Sequence, residues 1–125
     1  MRAIYSLGRF MLGGFFLYSG FNHLVHVDAM AGYAAAKKTP NPKFDVEASG
    51  ALLMASGASL VFGVKPRLGA AGALAFLAAA TPVFHDFWMQ SDPQAKQQEQ
   101  VHFLKNIALM GAALALLGAE GRTEA

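Results

Sequence analysis

Apolar and polar positions alternate along the chain in long blocks. Four apolar stretches cover residues 3–25, 46–64, 68–88 and 103–119, with polar connectors between them. Each comes near the ~20 residues with which an α-helix crosses ~30 Å of hydrocarbon. The fourth reaches that length only if His102 or the residues before it join the helix. A domain of 125 residues could not bury four such helices in water. The pattern therefore predicts an all-α fold in one domain, residues 1–125: a four-helix transmembrane bundle running up-down-up-down. The first stretch also has features of a signal peptide, with Arg2 ahead of it and Ala29-Met30-Ala31 as a small-residue cleavage site. The polar gap from Asn22 to Asp28 is long for a cleavage region, so the helix is retained.

The connectors differ. The first, VDAMAGYAAAKKTPNPKFD, predicts a short interfacial helix capped by Asp28 and ended by TPNP. The second is only KPR, Lys65 to Arg67, which forces its flanking helices to be antiparallel neighbours. The third, QSDPQAKQQEQ, reads as a polar turn started by Asp92-Pro93. The tail GAEGRTEA reads as frayed. Small residues step by four at Ala51, Ala55 and Ser59, at Ala71, Ala75 and Ala79, and at Gly111 and Ala115; these predict the packing faces of the helices. Pro82 predicts a kink, with Thr81 available to satisfy the carbonyl freed at Ala78.

Charge fixes a predicted orientation. One end carries Arg2, Arg9, Lys65, Arg67 and Arg122; the other carries Lys37, Lys38, Lys43 and Lys96. The very short KPR turn weighs most, so the termini and that turn are predicted to be cytoplasmic. The net charge is +2 and the cations are scattered, which argues against a nucleic-acid partner. Cysteine is absent, which excludes disulfides and Cys-ligated clusters.

Helix parity gathers the remaining polar residues at the other, outer end. There lie Asn22, His23 and His26 on the first helix and Glu47 at the start of the second. His85, Asp86 and Trp88 end the third; His102, Lys105 and Asn106 open the fourth. Tyr18, Asn22 and His26 share one stripe; Thr81, His85 and Trp88 share another, which turns His85 inward. Asp86 points ~100° away. Charges at membrane depth are costly, so Lys105 should pair with Glu47 or Asp86. Each residue also has an ordinary reading. Histidine, tryptophan and tyrosine are common at interfaces, Lys105 and Arg9 can snorkel, and Glu47 suits a helix N-terminus. A haem could take His85 with His23 or His102 as ligands, yet no histidine pair recurs at mid-membrane depth and no metal-ligand pattern is legible. A quinone headgroup fits better, because His85, Trp88, Lys105 and Asn106 offer donors and an aromatic wall near one leaflet.

In order and spacing, GRFMLGGFFLYSGFNHL, AGYAAAKKTPNP, VEASG with FGVKPRLGA, and FHDFW with HFLKNIALMGAAL resemble the DoxX family of small bacterial membrane proteins. The resemblance runs from about Gly8 to Gly118. It implies a four-helix bundle in the bacterial inner membrane and an association with redox enzymes that deliver electrons to quinone. It places Glu47, His85, Trp88, Lys105 and Asn106 on the family's recurring polar positions. His23 stands where family members often carry lysine. Three functions follow as expectations: a membrane subunit or anchor of an oxidoreductase complex, a quinone-binding or redox-active protein, and a small transporter. The first is preferred, with the bilayer, a redox enzyme and a second copy of the chain as candidate partners. Transport is weakened by the lack of an inverted repeat.

Overall fold

The computed structural model of the protein describes residues 2–123. Five α-helices follow one another: α1 (Arg2–Val25), α2 (Val27–Ala36), α3 (Pro42–Phe62), α4 (Pro66–Phe84) and α5 (Pro93–Thr123). A single 3-10 turn, Phe87–Met89, separates α4 from α5, and no strand occurs among the described residues. Two segments, Pro66–Met89 and Pro93–Ala119, are long and apolar enough to cross a membrane. α1 and α3 are long as well, but Arg9 in α1, Lys43, Asp45 and Glu47 in α3, and the glycines and serines of both make them less apolar.

The helix ends follow local chemistry. Proline opens α3, α4 and α5, where its missing N–H removes no helical hydrogen bond. Gly63 ends α3 in the left-handed conformation (φ 71°), which costs glycine little. The Ser59 hydroxyl contacts the Val64 and Lys65 carbonyls at 2.6 and 3.0 Å, tying the α3–α4 turn together. α1 and α2 are almost continuous and break only at His26 (φ −112°). Asp28 therefore lies inside the first turn of α2 and is not its cap. α2 ends before TPNP, because Lys38 turns left-handed (φ 60°) and its N–H bonds Ala35 O at 2.9 Å.

Two boundaries differ more. α4 stops at Phe84, although it was expected to reach Trp88. Pro82 is accommodated, but the chain unwinds at His85 and continues as the 3-10 turn. α5 begins ten residues before 103, so QAKQQEQ is helix, not a turn. Asp92 accepts the Ala95 N–H at 3.1 Å and Pro93 sits in the first helical position, a strong helix start. The tail expected to fray is helical as far as Thr123; residues 124–125 lie outside the described ones.

α1 lies against α3, α3 against α4, and α4 against α5, while α1 and α5 meet at few points. The α1–α3 contact is backbone against backbone. A Cβ on Gly20 would stand 2.6 Å from both Gly50 O and Met54 N. The apolar core, including Phe16, Leu60, Ala73 and Leu116, fills the half of the molecule nearer the α3–α4 turn. Of the predicted small-residue positions Ser59 packs, against Gly69, whereas Ala51, Ala55, Ala71, Ala75, Ala79, Gly111 and Ala115 are exposed. Residues one or two positions away take their place, among them Gly50, Gly57, Gly69, Ala73 and Ala113. Large apolar side chains such as Ile4 and Phe62, each 75% exposed, cover the outside, as suits a chain surrounded by lipid.

Candidate functional site

The opposite half is hollow. A partly open cavity of about 430 Å³ lies between the end of α1, the start of α3, the end of α4 and α5. Its walls are apolar, with Phe15, Phe16, Leu53, Phe76 and Val83 among them. α2 forms the cover through Met30, Tyr33 and Ala34. The cover is fastened to the end of α4. The Tyr33 hydroxyl donates to Phe84 O at 2.9 Å, one of the carbonyls a helix C-terminus leaves without a partner. The Tyr33 and Phe84 rings stack at 5.8 Å. Lys37 Nζ meets Asp86 Oδ1 at 2.6 Å. That hydrogen bond to Asp86 holds the Lys37 ammonium above the ordinary lysine range. Partial burial, reinforced by the Glu99 charge, raises the Tyr33 phenol.

Of the residues expected to carry chemistry, His23, His85, Lys105 and Asn106 line the cavity. His23 Nδ1 donates to Ser19 O at 2.8 Å, and its ring meets Phe76 edge-on. His85 Nδ1 lies 2.8 Å from Glu99 Oε2, and the ring stacks on the exposed His102 with centroids 5.1 Å apart. Two rings stacked at this spacing leave no room for a porphyrin between them, so His85 and His102 do not form a haem-ligating pair. Asn106 Nδ2 donates to Thr81 Oγ1 at 3.1 Å in a buried contact between α5 and α4. The Thr81 hydroxyl donates to Leu77 O, not to the Ala78 carbonyl that Pro82 frees. Lys105 was expected to pair with Glu47 or Asp86. Its ammonium instead rests over the Phe15 ring, 5.6 Å from the centroid.

The other candidates lie elsewhere. Glu47 is exposed and lines a separate shallow depression with Asn41 and Lys43. It follows the buried Val46 by one residue, a ~100° turn that carries it away from the cavity. Asp86 is taken up by Lys37, which removes it as a partner for Lys105. Asn22 lies outside the cavity, on a stripe with Tyr18 and His26, both of which are exposed. Trp88 is 52% exposed and meets Phe87 and Phe103 edge-on. The helix ends before it, so the expected stripe through Thr81, His85 and Trp88 is broken. Among the described residues, no three His, Asp or Glu side chains converge as metal ligands.

Sequence reasoning overlooked Asp45, Ser49, Tyr33 and Glu99. Asp45 and Ser49 line the cavity one turn apart, with Leu53 a further turn on. Glu47, Ala51 and Ala55 recur at the same spacing of four, so only the rotation of α3 sets Asp45 apart from Glu47. Tyr33 and Glu99 sit in segments that read as connector. The arrangement as a whole suits an amphipathic molecule: apolar walls for its body, and a lysine, two imidazoles and an amide for its polar end. α1 and α5 meet at few points, and Lys105 over Phe15 is one of the places where they do.

The family model for DoxX matches residues 4–86, which include every cavity-lining residue outside α5. No curated protein and no solved structure matches the chain.

Proposed function

We propose, because this chain belongs to the DoxX family of membrane proteins, that it binds a quinone-type headgroup in the cavity beneath α2. In this reading all four long helices cross a bacterial inner membrane, with the termini and the Lys65–Arg67 turn in the cytoplasm. The observation that carries it is Lys105. Lys105 is exposed, yet it lines the apolar cavity of about 430 Å³ and rests on an aromatic ring and not on a carboxylate, so its ammonium retains N–H donors for a ligand. A carbonyl at that position would accept from Nζ, with Asn106 and His85 close by and phenylalanines along the ring faces. A hydrogen bond to a charged group contributes ~1.5–3 kcal/mol.

The test uses purified full-length protein in mild detergent with decylubiquinone as the probe. Decylubiquinone should raise the melting temperature, whereas decane, which supplies only a tail, should not. Lys105→Met should weaken binding about tenfold or more while leaving the circular dichroism spectrum intact. A wild-type protein indifferent to decylubiquinone would remove this reading.

A second reading, a membrane subunit or anchor for a redox enzyme, is favoured by the first turns of α5. There Gln94, Gln97, Gln98 and Gln100 face outward on a helix that no other element covers on that side. Such a surface suits an aqueous partner that draws on the same quinone. Co-purification from mild detergent checks it, and a chain that always elutes alone counts against it.

A further inference from the structure

Both imidazoles that line the cavity have one ring nitrogen committed. His23 Nδ1 faces the Ser19 carbonyl at 2.8 Å, and a carbonyl can only accept. His85 Nδ1 faces the Glu99 carboxylate at 2.8 Å, which when ionised also only accepts. The Nδ1 atoms therefore carry the protons. In the neutral ring Nε2 is then a bare acceptor, and it gains an N–H only when the imidazole is protonated. Glu99 does not line the cavity, whereas His85 does. Nε2 is thus the ring nitrogen of His85 left to meet a ligand.

We infer that the His85–Glu99 pair makes the cavity discriminate between carbonyl and hydroxyl headgroups by protonation. This rests on the reading of the cavity as a quinone-type site. With His85 neutral, Nε2 accepts a hydrogen bond from a hydroxyl, the group a quinol presents. With His85 protonated, Nε2–H donates to a carbonyl, the group a quinone presents. Where His85 is neutral, binding the carbonyl form therefore draws one proton from solvent onto Nε2; where it is protonated, binding the hydroxyl form returns that proton to solvent. No electron transfer is involved in this step.

The surroundings favour His85 over His23 for that role. Glu99 is ionisable and opposes the charge of an imidazolium, which the Ser19 carbonyl does not. The Glu99 side chain is 21% exposed, so it connects the pair to water. His102 lies on the ring face and is itself exposed. On the α2 side stand Tyr33 and Lys37, the latter already neutralising Asp86. Across the cavity, the Lys105 cation and the Asp45 carboxylate oppose each other in effect. Glu99 is thus the carboxylate left to stabilise a charged His85.

The experiment measures binding of decylubiquinone and of its quinol, kept reduced without oxygen, to the detergent-purified full chain between pH 5 and 9. Quinone affinity should fall by up to about tenfold per pH unit above the His85 midpoint, and quinol affinity should fall below it, where Nε2 already carries a proton. Glu99→Gln should move that midpoint to lower pH, with little change in quinol affinity at about pH 9. His23→Gln should leave the midpoint in place. If Glu99→Gln does not fold, His85→Gln should abolish the pH slope. Quinone affinity that is flat with pH, or a slope unmoved by Glu99→Gln or lost with His23→Gln, overturns the inference and leaves the quinone site standing. Failure of both probes to bind at any pH removes the site itself.

Discussion

Lys37 and Asp86 stand 49 residues apart in the chain and meet at 2.6 Å. Nothing in the sequence pairs them: Lys37 is one of several lysines in a connector, and a connector lysine reads as a solvated charge. The contact exists because α2 folds back over the end of α4. Its titration has a definite sign. The Lys37 ammonium is raised above its ordinary value of 10.5 by the Asp86 hydrogen bond. Its contribution is complete below 10.5 and is lost as pH rises through the raised value. The Tyr33 phenol, raised above 10.0 chiefly by burial, behaves in the same direction, since the phenolate can no longer donate to Phe84. Both fastenings of α2 therefore fail at alkaline pH. Because the chain has no cysteine, one placed at the exposed Ala29 can carry a lone environment-sensitive fluorophore. Its signal should stay constant from pH 7 to about 10 and change above that. Tyr33→Phe should loosen α2 by about 1 kcal/mol and remove part of the transition. A signal with no alkaline change would show that α2 is held by something else.

The helices themselves were legible at the next scale, because long apolar runs leave few other structures for residues 3–25 or 46–64. Their ends were less so. The helix that holds Pro82 was expected to reach Trp88, yet it ends two residues past the proline, at Phe84. The polar run before Val101 looked like a turn because helix propensity in Gln, Ala, Lys and Glu carries no hydrophobic period. The packing faces were misread for a related reason. A spacing of four in small residues marks a stripe but does not say which stripe faces a neighbour. Gly13 with Gly20, and Gly50 with Gly57, recur at seven, and these are the positions where α1 and α3 touch. Gly20→Ala should accordingly cost about 1–3 kcal/mol, as overpacking does, measured by unfolding in mixed detergent micelles. Gly14→Ala, where a Cβ meets nothing within 4 Å, should be neutral or slightly stabilising. Equal effects at the two glycines would mean that the α1–α3 contact is looser than described.

For the whole molecule, helix parity located the gathering of His23, His85, Lys105 and Asn106, because it depends only on how many long helices there are. It could not locate Asp45, Glu99 or Tyr33, which depend on the rotation of α3, the early start of α5 and the fold of α2. The proposed insertion can be tested through single cysteines. A cysteine at Ser91 should react with a membrane-impermeant maleimide on spheroplasts, and one at Val64 should react only after lysis. The reverse pattern would invert the orientation. Labelling of both from the same side would mean an even number of spans between them, so that α4 does not cross.

At 31 residues, α5 extends about 46 Å, beyond the ~30 Å of hydrocarbon. The hollow lies toward its N-terminal half and the filled core toward the other. In the insertion proposed above, that asymmetry would divide the two monolayers of the bilayer. A molecule that enters from the lipid must already have its head in the monolayer that flanks the hollow. A lipid with a charged head, which crosses the bilayer slowly, would be available only from the pool on that side. A quinone, whose head passes readily through hydrocarbon, would be supplied from both, and the cavity would sample the entire membrane content of such a carrier while remaining closed to one side's phospholipids.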